Sequence, residues 1–382
     1  MRKICVVVAS RANYGRVKSV LTAIKNHPNL ELQIIVGASM LLDRYGNAIR
    51  IVEKDGFHPN KKIYYMLEGE SLETQAKSTA MGIIELSTAF QELRPDVVIT
   101  VADRFETMAT AIAAAYLNIP LAHIQGGEIT GNIDETVRHA ITKLAHYHFP
   151  ATEESRERLL RMGEEEWRVL NSGCPSIDTL ATQDTSLANC RESIMHGGVG
   201  YPIDADKPYI VMIQHPVTSE YGEGYSQVMK TLNALETFDE QKLVLWPNID
   251  AGSDKVSKGL RVYSREHTDL PFRFYKNFPP EIYNAILANA SCVVGNSSSF
   301  IRECSYLGTP AVIVGDRQIG REHGENVMFV NYDTDEIKDA VERQLKHGRY
   351  DSQHIFGDGH AGERIADYLS TVELNINKRM TY

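Results

Sequence analysis

The sequence predicts an α/β protein made of two Rossmann-like, doubly wound domains that face a cleft. Three observations lead to this prediction: short apolar runs, amphipathic segments between them, and one polar interruption near the middle of the chain. Continuous apolar runs that alternate with helices indicate parallel strands covered on both faces. The length of 382 residues suits two hydrophobic cores better than one.

The first half of the chain alternates regularly between predicted strands and predicted helices. The strands are expected at Ile4–Ala9, Leu32–Gly37, Val97–Ala102, Pro120–Ile124, His146–Pro150 and Arg168–Asn171. The helices are expected at Gly15–Lys25, Ser71–Leu93, Glu106–Leu117, Glu135–Ala145 and Glu154–Met162. Short strands that each lead into a helix produce a doubly wound sheet.

A polar segment, residues 176–207, interrupts this alternation before it resumes in the second half. The later strands are expected at Tyr209–Gln214, Lys242–Trp246, Phe272–Tyr275, Cys292–Gly295, Pro310–Val314 and Val327–Asn331. The later helices are expected at Gly224–Glu236, Glu281–Asn289, Phe300–Leu307, Thr334–Leu345 and His360–Leu369. We therefore predict an N-terminal domain over 1–175, a C-terminal domain over 176–360, and a last helical segment, 361–382, that packs back on the first domain.

Composition and charge exclude several classes of function. The net charge of -10 argues against a nucleic-acid binder, because no basic patch dominates the sequence. No apolar run approaches the length of a membrane span, and the short run after Met1 is interpreted as a strand rather than a signal peptide. A cytoplasmic protein without a membrane partner is therefore expected. The five cysteines are scattered, and they are predicted to be buried free thiols.

The segment Val294–Glu303 is the strongest candidate for nucleotide binding. A strand ends there, a Gly-Asn pair makes a turn, and consecutive serines including Ser297 and Ser298 open a helix. Serine hydroxyls beside free amides at a helix N-terminus suit a diphosphate, and Glu303 can accept hydrogen bonds from ribose hydroxyls. The alternative is a plain helix cap with a surface glutamate. The turn, the serines and the glutamate together favour a nucleotide.

The loop 314–326 follows another predicted strand and contains two arginines, two glutamates and three glycines. A loop with so many charges is usually solvated surface. This loop, however, begins at the carboxyl end of a strand, where open α/β sheets bind their ligands. Arg317 or Arg321 can pair with a phosphate there as a planar fork.

Four carboxylates follow predicted strands of the N-terminal domain and are expected to converge near the cleft. They are Asp103, Glu128, Asp134 and Glu135. Paired acids suit a reaction in which one group removes a proton and another returns one. The alternatives are that Asp134 caps its helix and that Asp103 pairs with Arg104. The clustering, and the Gly126-Gly127 pair as a sign of backbone close to a ligand, favour catalysis.

Histidines provide one candidate for catalysis and a weak pattern for a metal. His215 follows the strand that opens the second domain and precedes a proline, so it is expected at the cleft. There it can protonate or hydrogen-bond a leaving phosphate. His139, His146 and His148 lack a completing acid, so structural roles are favoured over a zinc site. The loop 10–15 has no GxGxxG pattern, and no NAD is invoked.

The sequence resembles the hydrolysing UDP-N-acetylglucosamine 2-epimerases of sialic-acid biosynthesis over almost the whole chain. The most specific stretches are Gly131–His148, Gln214–Thr218, Trp246–Ser253, Gly295–Ser298 and Arg317–Asn326. The resemblance implies a GT-B fold, a homodimer or homotetramer, and a reaction without metal or cofactor. In that reaction UDP leaves C1 while a base takes the C2 proton, and water then adds to the glycal with inversion at C2.

The resemblance also implies roles for individual residues. Asp103 and Asp134 match catalytic carboxylates of the family, and Arg104 matches a residue that orients Asp103. His215 matches the residue at the leaving diphosphate. The implied UDP contacts are Arg11, Ser297, Ser298, Glu303 and Arg317.

Three positions depart from the family pattern on the sugar side: Gln125, Asn13 and Met40 stand where the family commonly has Glu, Asp and His. An amide cannot accept a proton, so either Glu128 or Asp134 takes over that step or Gln125 only hydrogen-bonds. The nucleotide is thus expected to be UDP, and the sugar to be GlcNAc or a 4-acetamido-6-deoxy relative. The alternatives are a non-hydrolysing epimerase, a GT-B glycosyltransferase that uses a UDP-sugar, and a nucleotide-sugar-binding protein.

Overall fold

The chain forms two compact units, each with its own sheet. The computed structural model describes residues 1–43, 46–69, 71–131, 133–248 and 250–381. The N-terminal unit consists of Met1–Glu128, Asp134–Ala181 and Phe356–Tyr382. The C-terminal unit consists of Ile129–Ile133 and Thr182–Ile355.

The division between the units lies beyond the predicted boundary at 175 and before the one at 360. The carboxylate of Asp178, on the helix Pro175–Thr182, accepts hydrogen bonds from the amides of Ala361 (2.9 Å) and Gly362 (2.7 Å). Just before this helix, the amide at 174 donates to the carbonyl at 356 (2.7 Å). These bonds hold the segments on either side of 182–355 together in the N-terminal unit.

Six parallel strands form the sheet of the N-terminal unit, in the order β3-β2-β1-β4-β5-β6. They are β1 (Arg2–Val8), β2 (Leu30–Gly37), β3 (Lys61–Ile63), β4 (Val97–Val101), β5 (Leu121–Ile124) and β6 (Tyr147–Phe149). The helices between and after them are α1 (Arg11–Asn26), α2 (Ile49–Lys54), α3 (Leu72–Leu93), α4 (Phe105–Tyr116), α5 (Ile133–Leu144), α6 (Glu153–Arg161) and α7 (Pro175–Thr182). Two of the three residues of β3 are lysines, so the sequence contains no apolar run that would predict this strand.

The strand predicted at Arg168–Asn171 is wrong. A 3-10 turn covers Glu166–Arg168, and Val169 forms only an isolated bridge with His148. The guanidinium of Arg168 is buried and donates hydrogen bonds to the carbonyls of residues 375 (3.0 Å) and 377 (2.9 Å). The segment therefore binds the C-terminal tail through Arg168, while the amide of Leu170 donates to the carbonyl of His148 on β6 (3.0 Å) without forming a continuous strand.

Both faces of this sheet are covered, as its continuous apolar strands predict. Along β1 the side chains alternate between two hydrophobic clusters, with Ile4 and Val6 in one and Cys5 and Val7 in the other. The first cluster includes residues of α1, and the second includes residues of α3 and α4. Each fully buried aliphatic side chain contributes about 1.5–3 kcal/mol, so the sheet is stabilised from both sides.

Seven strands form the sheet of the C-terminal unit, in the order β13-β12-β11-β8-β9-β10-β7. They are β7 (Val199–Gly200), β8 (Tyr209–Ile213), β9 (Gln241–Leu245), β10 (Phe272–Tyr275), β11 (Cys292–Gly295), β12 (Ala311–Val314) and β13 (Val327–Val330). The edge strand β7 is antiparallel to β10, and the other pairs are parallel. The longer six of these strands match the predicted ones closely.

The helices of the C-terminal unit differ from the prediction at three places. They are α8 (Leu187–His196), α9 (Gly224–Leu235), α10 (Ser253–Glu266), α11 (Pro280–Asn289), α12 (Arg302–Leu307) and α13 (Thr334–His347). The sequence did not predict α8 or α10, whose polar faces obscure the short apolar stripe that each buries. The helix expected at Phe300–Leu307 is a 3-10 turn over Ser298–Phe300 followed by the six-residue α12.

Both sheets contain a topological switch point, where the strand order reverses. It lies between β1 and β4 in the N-terminal unit and between β8 and β11 in the C-terminal unit. Ligands of open α/β sheets bind outside the carboxyl ends of the strands at such points. Residues just after these four strand ends are therefore the first places to seek a site in each unit.

The last helix, α14 (Ala361–Thr371), packs on α1 within the N-terminal unit. Gly362 allows the close approach, since a Cβ there would lie 2.8 Å from the backbone of Ser19. All five cysteines are buried and free, which confirms that prediction. Within the described residues, no helix combines the length and apolar character that a transmembrane segment needs.

Candidate active site

Asp103 lies two residues after β4, at the switch point of the N-terminal unit, and is buried. Its Oδ2 atom accepts hydrogen bonds from Nε (3.0 Å) and Nη2 of Arg138 on α5. The Nη1 atom of the same guanidinium donates to the carbonyl of Glu128 (2.7 Å). One fully buried arginine therefore fixes an acid from one strand end and the backbone of another.

Three of the four predicted carboxylates lie close enough to Arg138 for their charges to act on it. Burial alone would lower the pKa of this guanidinium, but the negative charges of Asp103, Glu128 and Asp134 outweigh it and raise the pKa. A permanent cation in a solvent-free position favours the ionised form of the carboxylate that it hydrogen-bonds. The sequence alone does not reveal a role for Arg138, although its place four residues after Asp134 puts both on one helix face.

Arg104 and Glu106 form a second ion pair beside Asp103. The Nε atom of Arg104 donates to both carboxylate oxygens of Glu106, at 3.0 and 3.2 Å. The Glu106 side chain is only 1% exposed, so this pair is held in a fixed geometry. The orientation of Asp103 by Arg104, which the resemblance implies, stays a prediction beside the observed contact from Arg138.

The backbone is strained at the ends of both β4 and β5. Ala102 has a φ of 65° and Gln125 a φ of 64°, in the left-handed region that residues other than glycine rarely adopt. His123 supports the first of these turns by donating from Nε2 to the carbonyl of Ala102 (2.8 Å), and burial lowers the pKa of this histidine to about 3. Such strain costs roughly 1–3 kcal/mol per residue and concentrates at functional sites.

The side chain of Gln125 is fully enclosed at the end of β5. Its Nε2 donates to the sulfur of Cys174 (2.9 Å), while its Oε1 accepts no hydrogen bond from any residue that the structure describes. An unsatisfied buried carbonyl oxygen costs about 1–3 kcal/mol. Its Oε1 atom is thus an acceptor that no described residue uses, and a ligand contact to it stays a prediction.

The glycines after Gln125 have a structural explanation. A Cβ at Gly127 would lie 2.3 Å from the carbonyl of Ser155 on α6, and its φ is 81°. A Cβ at Gly126 would lie 3.0 Å from Nδ1 of His123. The interpretation of this pair as backbone near a ligand is therefore unnecessary, because packing within the unit already requires glycine at 127.

Asp134 and Glu135 lie in the first turn of α5, where negative charge stabilises a helix. Glu135 pairs with His139 one turn later (3.6 Å). His146 directly precedes β6 and accepts the amide hydrogen of residue 121 (3.1 Å), whereas His148 lies within β6 and contacts Glu164 (2.9 Å). Among the described residues, no group of three metal-binding side chains comes together.

The departures from the family pattern lie in different environments. Arg11 begins α1 directly after Ser10, whose hydroxyl accepts the amide hydrogen of Asn13 (3.2 Å). Asn13 is buried, and its Oδ1 has no hydrogen-bond partner within the described part of the chain. Met40 is wholly buried in the apolar cluster that also contains Val8 and Tyr14. Met40 is thus packed as a core residue, and its place on the sugar side stays a prediction.

His215 lies two residues after β8, at the switch point of the C-terminal unit. Its backbone N–H donates to Oδ1 of Asn296 (2.6 Å), and its carbonyl accepts from Nδ2 of the same side chain (2.9 Å). The amide of Asn248 donates to Nδ1 of the ring (3.1 Å). Because Nδ1 accepts, the proton of the neutral ring lies on Nε2, which is a hydrogen-bond donor.

The turn after β11 carries the predicted phosphate residues. A Cβ at Gly295 would lie 1.9 Å from the carbonyl of Ile213, so only glycine fits between the two strand ends. The hydroxyl of Ser297 accepts the amide hydrogen of Ser299 (3.4 Å) and caps a 3-10 turn. The expected helix cap is therefore a cap of a tighter, shorter turn, and Ser298 is its first residue.

Glu303, the second residue of α12, is buried at 9% exposure. Its Oε2 atom accepts no hydrogen bond from the described residues. Burying a carboxylate oxygen without a partner is costly. The burial disagrees with a solvent-exposed glutamate, and the ligand hydroxyl at this atom stays a prediction.

The charged loop after β12 supports this turn. Nη1 of Arg317 (3.2 Å) and Nε2 of Gln318 (3.0 Å) both donate to the carbonyl of Asn296. Arg321 is buried and donates to the carbonyl of Ile129 (3.5 Å). The loop is therefore built into the C-terminal unit and is more than solvated surface.

The chain is similar to known proteins over almost its whole length. Residues 22–370 match the family model described as UDP-N-acetylglucosamine 2-epimerase. The chain is 34% identical over 385 residues to the UDP-N,N'-diacetylbacillosamine 2-epimerase (hydrolyzing) of Legionella pneumophila, and the match covers 100% of both proteins. It is 30% identical over 376 residues to the UDP-N-acetylglucosamine 2-epimerase of Neisseria meningitidis, covering 98% of this chain and 96% of the relative.

The fold is also found in solved structures. One is the Methanocaldococcus jannaschii UDP-GlcNAc 2-epimerase in complex with UDP-GlcNAc and UDP. The TM-score is 0.78 at 18% sequence identity, with 96% of this chain and 99% of the other covered. This likeness confirms the predicted α/β fold class with two Rossmann-like units.

Proposed function

The chain belongs to the UDP-N-acetylglucosamine 2-epimerase family and is a UDP-sugar 2-epimerase, and we propose that it is one of the hydrolysing kind. Its products would be UDP and a free N-acetylated amino sugar inverted at C2. The C1–O bond breaks with its electron pair leaving on UDP, while a base removes the C2 proton to form the C1=C2 double bond. Water then supplies a hydroxyl to C1 and a proton to the opposite face of C2.

The observation that carries this proposal is the grouping of Asp103, Glu128 and Asp134 around the buried guanidinium of Arg138. A reaction that removes and returns a carbon-bound proton needs one ionised and one protonated group on a rigid support. Two hydrogen bonds from Arg138 orient Asp103 and favour its ionised form. We assign the proton steps to Asp103 and Asp134, with Glu128 as the third acid of the group.

The C-terminal unit would bind the leaving group. Nε2–H of His215 is assigned to a diphosphate oxygen, where its hydrogen bond strengthens as negative charge develops. Ser297, Ser298 and Arg317 are assigned to the phosphates, together with Arg11. The unsatisfied Oε2 of Glu303 is assigned to the ribose hydroxyls.

A relative supports the assignment to the hydrolysing kind, and two buried amide side chains support the proposed sugar. The Legionella relative, 34% identical, is named a hydrolysing epimerase of UDP-N,N'-diacetylbacillosamine. The buried oxygens Gln125 Oε1 and Asn13 Oδ1 are acceptors suited to the N–H groups of acetamido substituents. We therefore propose that the preferred substrate carries a 4-acetamido-6-deoxy sugar, with UDP-GlcNAc turned over more slowly.

Product analysis tests this function. The two UDP-sugars are incubated separately with the protein and no acceptor, and the products are identified by mass spectrometry and NMR. Free sugar inverted at C2 with an equal amount of UDP is expected, with faster turnover of the diacetylated substrate. A UDP-linked 2-epimer would identify the non-hydrolysing reaction, unchanged substrate would point to a transferase or binding protein, and faster turnover of UDP-GlcNAc would refute the sugar preference.

A further inference from the structure

The C-terminal tail after α14 is bonded along its length to the N-terminal unit. The hydroxyl of Tyr147 on β6 donates to the carbonyl of Glu373 (2.7 Å), and the amide of Thr381 donates to the carbonyl of Gly163 (3.0 Å). Between these points, Arg168 binds two tail carbonyls. The tail is therefore an ordered part of the unit, held by hydrogen bonds at several positions.

Lys378 extends from this tail to the C-terminal end of α5. Its Nζ donates to the carbonyls of Thr142 (2.8 Å) and Ala145 (2.7 Å), and it forms an ion pair with Glu164. The last carbonyls of a helix lack intrahelical partners and carry partial negative charge, so a cation there is favourable. Lys378 thus satisfies the end of α5 from outside the helix.

Glu164 anchors this contact in the interior of the unit. Its side chain is fully buried, and it accepts from Nε2 of His148 (2.9 Å) and Nζ of Lys143 (2.8 Å) in addition to Lys378. Burial alone would raise the pKa of Glu164, but these three donors lower it to about 2. The carboxylate is thus a fixed charge that holds Lys378 in place, and His148 connects it to β6.

The same helix carries groups of the proposed active site. Asp134 lies in its first turn, and Arg138, one turn later, holds Asp103 at 3.0 Å. A helix moves as a rigid rod with a rise of about 1.5 Å per residue, so a shift at its C-terminus is transmitted to these side chains. Misplacement by about 1 Å can reduce a rate a hundredfold.

We propose that Lys378 is a positioning residue of the reaction, which fixes α5 along its axis and so sets the contact between Arg138 and Asp103. The inference rests on the proposed function for its rate effect. It is separate from UDP binding, which we assign mainly to residues of the C-terminal unit. Loss of Lys378 should therefore lower kcat and leave the affinity for UDP nearly unchanged.

The test compares Lys378→Met with Arg379→Met, which removes an exposed cation from the next position of the same tail. For Lys378→Met we expect a fall in kcat of about tenfold or more, with KM and the Kd for UDP within about twofold of wild type. Lys378→Arg keeps the charge and several donors, so it should recover most of kcat. Arg379→Met should stay within about twofold of wild type throughout.

Hydrogen exchange provides a second readout that does not depend on activity. In Lys378→Met, amides in the last turn of α5 should lose protection, whereas those of α1 should not. If Lys378→Met fails to fold, Lys378→Arg and Lys378→Gln are compared in the same way, and equal kcat in these two would overturn the proposal. A lowered Tm with kcat unchanged would also overturn it, since the tail would then serve stability alone. A wild-type protein that releases no UDP would refute the proposed function, and hydrogen exchange would still decide whether Lys378 holds α5.

Discussion

Arg138 and Asp103, separated by 35 residues, form a buried ion pair in which one carboxylate oxygen accepts two hydrogen bonds from the guanidinium. The pair joins the middle of α5 to the end of β4, at the switch point of the first sheet. The pair fixes Asp103 in the candidate active site, and the first prediction concerns it.

Removing Arg138 should harm both stability and catalysis, in separable ways. Breaking a buried ion pair by removing one partner costs about 3–5 kcal/mol, because the remaining charge is left uncompensated. We expect Arg138→Met to lower the free energy of unfolding by this amount, measured by urea denaturation, and to reduce kcat about a hundredfold. The double variant Arg138→Met with Asp103→Asn should regain most of the stability and none of the activity. Recovery of activity in the double variant would show that Asp103 needs no charge.

Substitutions of His215 should separate the roles of its two ring nitrogens. Asparagine places a polar atom near Nδ1, which accepts from Asn248, whereas glutamine places a donor near Nε2. We expect His215→Asn to fold with the wild-type Tm but to lose about a hundredfold or more in kcat, as for removal of a donor to a developing oxyanion. His215→Gln should retain more activity. The Kd for UDP, measured by calorimetry, should change by less than about threefold in both; a loss of UDP affinity equal to the loss of kcat would contradict this role.

Ser298 and Glu303 are expected to bind different parts of the nucleotide. A hydrogen bond to a charged group contributes about 1.5–3 kcal/mol, so Glu303→Gln should weaken UDP binding about tenfold or more. The same substitution should not weaken binding of 2',3'-dideoxy-UDP, which lacks the hydroxyls assigned to this glutamate. Ser298→Ala should weaken both nucleotides equally, because it is assigned to the diphosphate. Calorimetric titration of each variant with each nucleotide completes the cycle, and an equal loss for both nucleotides in Glu303→Gln would refute the ribose assignment.

The sequence predicts the central strands of the two sheets better than the segments at the sheet edges and the helices with mostly polar surfaces. Apolar runs such as Cys292–Gly295 coincide with observed strands because burial on both faces leaves no polar position. Arg168–Asn171 fails because its apolar residues follow an arginine whose side chain binds the tail, which local sequence does not reveal. Helix α10 was missed because most of its surface is polar.

The sequence predicts the acidic residues of the candidate site but does not predict the residues that they contact. Asp103 and Glu128 follow strand ends, and that position alone suggests a ligand-binding edge. Their grouping around Arg138 is a tertiary contact over 35 residues for Asp103, which no sequence spacing specifies. The burial of Met40 in the core is likewise visible only in the packed structure. The roles of the site residues remain predictions.

The buried network of Glu164 predicts an acid-sensitive stability. Burial raises the pKa of this group, but hydrogen bonds from His148 and Lys143 and the charge of Lys378 lower it to about 2, below the value of 4.5 in an unfolded chain. A lowered pKa in the folded state stabilises above pH 4.5, and the stabilisation is lost as the pH falls towards 2. The shift corresponds to about 3 kcal/mol.

Urea denaturation at several pH values measures this contribution in wild type and in Glu164→Gln. Buried histidines such as His123 and His146 also destabilise the fold below pH 6.5, and they do so in both proteins. His148 and Lys378 contact Glu164, so their titration also contributes to the difference between the two curves. We expect this difference to shrink by up to about 3 kcal/mol as the pH falls from 5 to 2. Parallel curves over this range would contradict the network.

The central claim is that the chain eliminates UDP by removing the C2 proton and then hydrates the resulting glycal. Incubation of the UDP-sugar in D2O, followed by proton NMR, tests it most directly. The account predicts free 2-epimer with deuterium at C2, formed together with one equivalent of UDP. A free sugar that keeps its original hydrogen at C2, or a 2-epimer still attached to UDP, would contradict it.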